Sequence, residues 1–312
     1  MSSDASAEQA RVLRKGPFPD YPFTPRTFVQ PGGLAQSYLD EGPRDGEVIV
    51  MLHGNPSWSY YWRKLVLGLR DRYRCIVPDH VGMGLSDKPA DDKYEYTLQA
   101  RVDDLDRLLD ALGIAGPVTL AVHDWGGMVG FGWALKHSDR VRRLVILNTG
   151  AFPLPAAKPL PWQIRLGRTF VGTALIRGLN AFASGAARDG VVTKMPRAVR
   201  RAYEAPYDSW ANRISTLRFV QDIPLGAGDK AWAIVAASEG KLREYAGRPV
   251  FYGWGLRDFV FDRHFLDAFR ARLPGTEEHV FHDAGHYVLE DKADVLVPAI
   301  RRFLDAHPVA GS

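Results

Sequence analysis

The sequence has a single cysteine and no long hydrophobic run. With only Cys75 available, no internal disulfide can form, which is typical of a reducing compartment. Cys75 lies within the apolar run at residues 74–77, and we expect it to be a small core residue. No stretch of about 18 uncharged apolar residues could span a bilayer. Residues 1–16 are polar and lack the apolar segment of a signal peptide. These features predict a cytoplasmic protein.

The chain also lacks a strong excess of charge of one sign. Its 312 residues include 40 basic and 36 acidic side chains, for a net charge of +4. The basic residues are scattered and do not alternate with aromatic residues, so we expect no nucleic-acid partner. No cluster of Cys and His and no spacing of carboxylates indicates a metal site. We expect no cofactor.

Short β-branched runs alternate with helical patterns, which is typical of a mostly parallel sheet covered by helices on both faces. The patterns predict eight strands, at residues 27–29, 35–39, 48–52, 74–77, 118–122, 144–147, 250–254 and 279–281. They predict helices at residues 97–112, 127–137 and 293–305, with Gly113 ending the first. The length fits one α/β domain with an insertion.

The alternation is interrupted between Asn148 and Arg248. Residues 151–161 contain four prolines, and a stretch with helical patterns and many aromatic residues follows. We interpret residues 151–236 as a helical cap inserted after the sixth strand, with residues 20–150 and 237–307 forming the α/β core domain. Ligands of such folds bind beyond the carboxyl ends of the strands, so the cap would cover the site. Alternatively, the aromatic residues of this stretch pack in a core of the cap itself. The large apolar residues of the stretch are Trp162, Phe170, Leu175, Leu179, Phe182 and Trp210.

The motif His-Asp-Trp-Gly-Gly at residues 123–127 directly follows an apolar run at residues 117–122. This pattern of strand, sharp turn and helix is where an α/β-hydrolase presents its nucleophile. Gly126 and Gly127 provide the room that such a turn requires. The nucleophile position holds Asp124, where most of these enzymes have Ser. A carboxylate can attack an sp³ carbon without prior activation, and the attack leaves an alkyl ester on the enzyme.

Two further residues complete a candidate catalytic triad. Asp258 and His286 each follow a predicted strand, and the order nucleophile, acid, histidine is that of α/β-hydrolases. His286 would activate water or transfer a proton at the Asp124 adduct, while Asp258 would orient the imidazole. Asp262 is a second candidate for the acid. The alternative for Asp258 is a loop carboxylate that caps a helix.

The motif His-Gly-Asn-Pro at residues 53–56 ends a predicted strand, where these folds form one side of an anion-stabilising hole. The backbone N–H of Trp125 would form the other side. The Asn55 amide and the Trp125 indole N–H are neutral donors that could also bind an anion. Alternatively, Asn55 is only a turn residue and Trp125 only a core residue. We expect Asp79, in the loop after the fourth strand, to hold the backbone.

On these motifs the sequence resembles the haloalkane-dehalogenase-like branch of the α/β-hydrolases. Residues 53–63 (HGNPSWSYYWR) and 124–127 (DWGG) carry the resemblance, and Asn55 with Trp125 matches the halide-binding pair of that branch. The closer resemblance is to the β-lactone decarboxylases of bacterial long-chain olefin biosynthesis. It rests above all on cap segments at residues 179–183, 205–213 and 218–225, and on residues 257–265.

Three residues depart from the patterns of the wider family. Val122 occupies a position that is usually Gly in the superfamily, and His123 occupies one where many dehalogenases have Gln. Asn148 lies at the end of the sixth strand, where one dehalogenase subgroup has its catalytic acid. The resemblance therefore leaves Asp258 as the acid.

The resemblance implies a carbon–carbon lyase that converts cis-3,4-dialkyl oxetan-2-ones to cis-alkenes and CO₂. Asp124 would attack the strained ring at the alkoxy carbon or at the carbonyl, and Asn55 with Trp125 would hold the resulting anion. The substrate would be an apolar small molecule with long alkyl chains. Relatives of this kind work beside a condensing enzyme, a lactone-forming ligase and a reductase, which implies an assembly with such enzymes.

Three other functions are compatible with the same residues. A haloalkane dehalogenase would use the same triad, with Asn55 and Trp125 binding the halide. An epoxide hydrolase would need acid donors from the cap, for which Tyr203 and Tyr207 are available. A binding protein of the same fold would hold its ligand without turnover, but the triad in its usual order argues against this.

Overall fold

In the computed structural model, residues 6–309 are described. The first five residues of the polar N-terminal stretch lie outside this range. Within it, no helix is long and apolar enough to cross a membrane. Cys75 is fully buried and packs in the core, as predicted.

The core is one eight-stranded sheet, and all eight predicted strands are confirmed. They are β1 (Arg26–Val29), β2 (Ala35–Glu41), β3 (Val48–Leu52), β4 (Arg74–Pro78), β5 (Val118–Asp124), β6 (Val141–Thr149), β7 (Val250–Gly255) and β8 (Glu277–Phe281). The order across the sheet is β1-β2-β4-β3-β5-β6-β7-β8. β2 pairs antiparallel with β1 and β4, and every other pair is parallel, so the carboxyl ends of β3 to β8 meet at one edge.

Helices cover both faces of the sheet and form a group above its carboxyl edge. The helices are α1 (Ala7–Leu13), α2 (Arg63–Leu69), α3 (Leu98–Ala111), α4 (Trp125–Ala134), α5 (Trp162–Gly167), α6 (Phe170–Thr173), α7 (Ala181–Asp189), α8 (Arg197–Glu204), α9 (Ile214–Gln221), α10 (Trp232–Lys241), α11 (Arg263–Arg272), α12 (Val288–Asp291) and α13 (Ala293–Ala306). A π-helical turn, Ala174–Gly178, continues α6.

Two hydrophobic cores form, one on each face of the sheet, because side chains alternate between the two faces along each strand. On β3, Val50 and Leu52 pack in the core beneath α3, α4 and α11, while Ile49 and Met51 pack in the core beneath α2 and α13. Because both faces are covered, central strands such as β5 are buried at every residue.

The helix predicted at residues 127–137 is displaced at both ends. It begins at Trp125, directly after the turn, and ends at Ala134, because the chain must return to start β6. The helices predicted at residues 97–112 and 293–305 match α3 and α13, and Gly113 adopts φ +67° just beyond α3.

The division into core and cap stays a prediction. Helices α5 to α9 lie within residues 151–236, whereas the boundary at residue 236 falls inside α10. Helix α10 packs on α4 of the core.

Candidate active site

Asp124 lies at the sharp turn between β5 and α4. Its backbone has φ 53° and ψ −129°, which is strained for a residue with a side chain. Two glycines make the turn possible by their lack of a Cβ. A Cβ on Gly126 would lie 1.9 Å from the carbonyl oxygen of Leu52, and one on Gly54 would lie 1.9 Å from Asp124 Oδ1. The turn therefore presents the carboxylate at the carboxyl edge of the sheet.

The structure brings the three residues of the candidate triad together. His286 Nε2 lies 3.3 Å from Asp124 Oδ2, and His286 Nδ1 lies 2.7 Å from Asp258 Oδ2. All three side chains are buried. This is the geometry that a nucleophile, a histidine and an orienting acid require.

The imidazole of His286 lies between two carboxylates, and its charge responds to both. Burial alone would lower the pKa of His286, but Asp258 and Asp124 outweigh burial and raise this pKa to about 10. Burial would likewise raise the pKa of Asp258, but the adjacent imidazole and hydrogen bonds lower it. Before substrate arrives, the site therefore holds an imidazolium between two carboxylates.

The backbone donors of the anion hole bind the nucleophile itself. The N–H groups of Asn55 and Trp125 both donate to Asp124 Oδ1, at 2.8 Å and 2.6 Å. Sequence reasoning assigned one of these donors to Trp125 and the other to the loop that contains Asn55, with a substrate anion as their acceptor. In the structure they fix one oxygen of Asp124 and leave Oδ2 facing His286.

The side chains of Asn55 and Trp125 face the cavity above Asp124. Asn55 Nδ2 donates to the carbonyl of Thr216 on α9 at 3.0 Å, and one of its two hydrogens remains available. The Trp125 indole N–H donates to no acceptor within the described part of the chain. Both residues line the cavity, and each retains an N–H without an acceptor in residues 6–309 that could bind an anion.

The cavity has a volume of about 570 Å³, within the usual range for small-molecule sites. Its floor is formed by Asp124, Asn55, Trp125 and His286, and most of its remaining lining is apolar. The apolar lining includes Met128, Phe152, Leu154, Leu160, Trp162, Ile164, Leu175, Ile176, Phe182, Val220, Ile223, Phe259, Phe261 and Phe265. Residues 6–309 contain no group of three or more His, Cys, Asp or Glu that could hold a metal ion.

A family model described as the alpha/beta hydrolase fold matches residues 47–293. The chain belongs to the α/β-hydrolase family. The chain is 63% identical to a cis-3-alkyl-4-alkyloxetan-2-one decarboxylase from Xanthomonas campestris, over 94% of this chain and 99% of that protein. It is 52% identical to a protein of the same name from Shewanella oneidensis, over 89% and 88% of the two chains.

Among solved structures, this chain resembles a haloalkane dehalogenase from Bradyrhizobium elkani. The TM-score is 0.82 at 25% sequence identity, and the match covers 91% of this chain and 98% of the other. The expected eight-stranded hydrolase fold is confirmed by the topology and by both comparisons.

Asn148 holds in place the loop after β7 that carries Asp258. Its Nδ2 donates to Asp258 Oδ2 at 3.1 Å and to the carbonyl of Gly255 at 2.9 Å, and its Oδ1 accepts the N–H of Gly255 at 2.8 Å. Asp262, the second candidate for the acid, caps α11 and pairs with Lys158. Of the two carboxylates, only Asp258 contacts His286.

The two unusual residues before Asp124 both have packing partners. Val122 fits because α4 has Gly130 opposite it, where a Cβ would lie 3.0 Å from Val122 Cγ1. The His123 ring stacks on Tyr61 at 4.1 Å between centroids, and its Nε2 lies 2.9 Å from the carbonyl oxygen of His286. Burial, and then His286, keep the pKa of His123 well below its usual range. His123 thus supports the backbone of His286 as a neutral ring.

Tyr203 and Tyr207, the two acid donors considered for an epoxide hydrolase, do not face the cavity. Tyr203 is buried and donates to Glu290 at 2.6 Å, while Tyr207 donates to the carbonyl of Ser57 at 3.3 Å. Neither tyrosine lines the cavity. Asp79 has the expected backbone role, since its carboxylate accepts the N–H groups of Ser59 and Leu85.

The large apolar residues of the predicted cap divide into two groups. Trp162, Leu175 and Phe182 line the cavity. Phe170, Leu179 and Trp210 are exposed, so the interpretation that the aromatic residues pack in a core of the cap is wrong for Phe170 and Trp210.

Sequence reasoning missed a buried cation behind Trp125. The guanidinium of Arg101 lies 3.6 Å from the centroid of the Phe219 ring and 5.9 Å from that of Trp125. Its counter-ion, Asp222, lies at 3.4 Å, and two of its nitrogens have no hydrogen-bond partner within residues 6–309. Arg101 therefore adds positive potential behind the indole. Only the tertiary packing of α3 on α9 reveals this role.

Proposed function

We propose that this protein is a β-lactone decarboxylase that converts cis-3,4-dialkyl oxetan-2-ones to cis-alkenes and CO₂. The observation that carries the proposal is the 63% identity, over nearly the whole chain, to a protein named for that activity. The site is consistent with it, since a carboxylate nucleophile lies beneath an apolar cavity. Such a cavity suits an apolar substrate, because each buried CH₂ contributes about 0.8 kcal/mol.

The hydrogen bonds to Asp124 favour attack at the alkoxy carbon. Attack at the carbonyl would create an oxyanion, but the backbone donors of Asn55 and Trp125 already bind Asp124 Oδ1. Attack by Oδ2 at the sp³ alkoxy carbon instead breaks the ring C–O bond and releases a carboxylate on the neighbouring carbon. The Asn55 amide and the Trp125 indole N–H are the neutral donors that would bind this carboxylate.

Loss of CO₂ then restores the enzyme without water. The carbon–carboxylate bond breaks, its electron pair forms the alkene, and the bond between the alkoxy carbon and Oδ2 breaks toward Asp124. The two backbone N–H groups and the His286 cation stabilise the departing Asp124 carboxylate. Inversion in the attack followed by anti elimination converts a cis lactone to a cis alkene.

In these reaction steps His286 does not have to donate or accept a proton. It acts as a cation that Asp258 orients at 2.7 Å, which agrees with its raised pKa of about 10. Asn148 and His123 position this pair by holding the loops that carry it.

Haloalkane dehalogenation is the second candidate, favoured by the Asn55 and Trp125 pair and by the dehalogenase structure that this fold resembles. Asp124 would displace halide, and water activated by neutral His286 would then hydrolyse the ester. Esterification removes the negative charge of Asp124, which lowers the pKa of His286 toward the value that a base requires.

The test offers the purified protein a cis-dialkyl β-lactone and, separately, a panel of bromoalkanes, and follows alkene and bromide. We expect cis-alkene from the lactone, and none from Asp124→Ala. Asp262→Ala is the control for a carboxylate near the site that contacts neither Asp124 nor His286. Rapid bromide release with unreacted lactone would overturn the proposal in favour of dehalogenation.

Three predictions from the sequence remain predictions. They are the division of the chain into a core and a cap domain, the cytoplasmic location, and the assembly with a condensing enzyme, a ligase and a reductase. The apolar reactant and product are the only support for handover between such enzymes.

A further inference from the structure

Residues 162–179, which form α5, α6 and the π-helical turn, carry large apolar side chains on both their buried and their exposed sides. Ile164, Gly167, Gly172 and Ile176 are buried and line the cavity. A helix that covers a site from the solvent side normally carries polar residues on its outer face. Here the outward-facing side chains include several large apolar ones.

The outer cap surface consists of Trp162, Arg165, Phe170, Val171 and Leu179. The side chains of Phe170 and Leu179 are 87% and 73% exposed, and that of Trp162 is 66% exposed. Most of the large exposed apolar residues of the described chain lie within residues 151–236. Such a concentration of exposed apolar side chains marks an interaction surface.

The charged side chains of residues 151–188 have one sign, although Lys158, Arg168 and Arg188 pair with carboxylates outside this segment. Residues 151–188 contain five basic residues and no Asp or Glu, although the whole chain has 40 basic and 36 acidic residues. Arg165 is exposed, and Arg177 lies 4.6 Å from the ring centroid of Trp210. Apolar and aromatic side chains mixed with arginines, in a segment with no carboxylate of its own, are the composition that binds anionic lipid surfaces.

We propose that the outer cap surface docks on an anionic lipid bilayer. Phe170, Val171 and Leu179 would enter the boundary between headgroups and acyl chains, and Arg165 would bind the phosphates. Trp162 belongs both to this surface and to the lining of the cavity. Docking would therefore place the cavity beside the acyl chains, where long-chain apolar molecules dissolve. The docking itself does not depend on the proposed reaction.

The test is flotation of the purified full chain with vesicles of phosphatidylcholine alone, or with about a quarter of phosphatidylglycerol. We expect binding to the anionic vesicles that weakens at high salt and on pure phosphatidylcholine. Phe170→Ser and Leu179→Ser should each weaken partitioning about tenfold, and Arg165→Glu should weaken it on anionic vesicles only. Matched controls are Val29→Ser, an exposed apolar residue on the core sheet, and Arg302→Glu, an exposed arginine on α13.

Because Phe170 and Leu179 are exposed and neither lines the cavity, the circular dichroism spectrum and the thermal unfolding midpoint should stay unchanged in these variants and report intact folding. Absence of vesicle binding, or equal binding by wild type and Phe170→Ser, would overturn the proposal. A dimer in solution that Phe170→Ser dissolves, without vesicle binding, would also overturn it and assign the surface to a second copy. None of these outcomes requires β-lactone turnover, so failure here is distinguishable from failure of the proposed function.

Discussion

Substitution of Asp124 by Asn should lower the pKa of His286, because it removes one of the two carboxylates that hold the imidazolium. His286 Nε2 lies 3.3 Å from Asp124 Oδ2, and the remaining partner, Asp258, lies 2.7 Å from Nδ1. The amide is nearly isosteric with the carboxylate but neutral, as the esterified Asp124 would be. The variant therefore reports the electrostatics of the covalent intermediate.

The separation of the two groups sets the size of the effect. Two unit charges at 3.3 Å interact with about 1 kcal/mol in water and about 5 kcal/mol at an effective dielectric constant of 20. Since one pH unit corresponds to about 1.4 kcal/mol, the pKa of His286 should fall by between about 1 and 3.5. Starting from a pKa of about 10, the variant should titrate between about 6.5 and 9.

The assay is a pH titration of the imidazole nitrogens by NMR in protein labelled at histidine. The chain has nine histidines, so His286→Gln is needed to assign the resonance. Mass spectrometry confirms that the new amide persists. Asp262→Asn is the control and should leave the pKa of His286 unchanged, because Asp262 pairs with Lys158. A His286 pKa near 6.5 in the wild type, or an equal pKa in Asp124→Asn, would refute this reasoning.

The same raised pKa makes stability depend on pH. Because the pKa of His286 rises from 6.5 to about 10 on folding, its protonation contributes about 5 kcal/mol to the free energy of unfolding. This contribution is fully present below pH 6.5 and is lost as pH rises through about 10. Urea denaturation of wild type and of His286→Gln at pH 6 and pH 10 measures it. An equal pH dependence in both proteins would contradict this. Gly126→Ala should yield no folded protein, since the new Cβ would lie 1.9 Å from the carbonyl oxygen of Leu52. The control, Gly240→Ala on α10, places its Cβ more than 4 Å from other atoms and should fold. Circular dichroism distinguishes the two outcomes. Recovery of Gly126→Ala with normal stability would count against the described turn. Asn148→Ala should lower the free energy of unfolding by about 1–3 kcal/mol, because Asp258 and Gly255 lose their hydrogen bonds to Asn148. It should also lower kcat while changing KM less. Its control is Asn180→Ala, which has a similar positive φ but no side-chain capping bond, and equal losses in both variants would refute the role of the hydrogen bonds. Gly185→Leu should lower kcat/KM for long-chain substrates more than for short ones, because Gly185 lines the cavity and a Cβ there meets no atom within 4 Å. A uniform decrease across chain lengths would mean that the new side chain does not enter the substrate space.

The strands and the meeting of the triad could be predicted because they follow from local patterns and one topological rule. β-branched runs mark the strands, and parallel strands bring their carboxyl ends to one edge. Asp124 and Asp258, which follow different strands, therefore both reach His286. The end of α4 was misplaced because nothing in the sequence marks where the chain turns back toward β6.

Side-chain direction and backbone donors could not be predicted in this way. The N–H groups of Asn55 and Trp125 bind Asp124 Oδ1, an outcome that depends on sub-ångström placement and has no signature in residue type. Tyr203 looked available as an acid, but it stacks on Tyr287 at 5.0 Å and donates to Glu290. The sequence around Phe170 is equally compatible with a buried and with an exposed position on a helix, so its exposure could not be predicted.

The central claim is that Asp124 opens a β-lactone at the alkoxy carbon and leaves again without water. The most direct test is repeated turnover of a cis-dialkyl β-lactone in ¹⁸O-labelled water, followed by mass analysis of the peptide that contains Asp124. The account predicts cis-alkene with no ¹⁸O in Asp124, because no water attacks the ester. Incorporation of ¹⁸O into Asp124, with a hydroxy acid as product, would contradict it and show a hydrolase that uses His286 as a base.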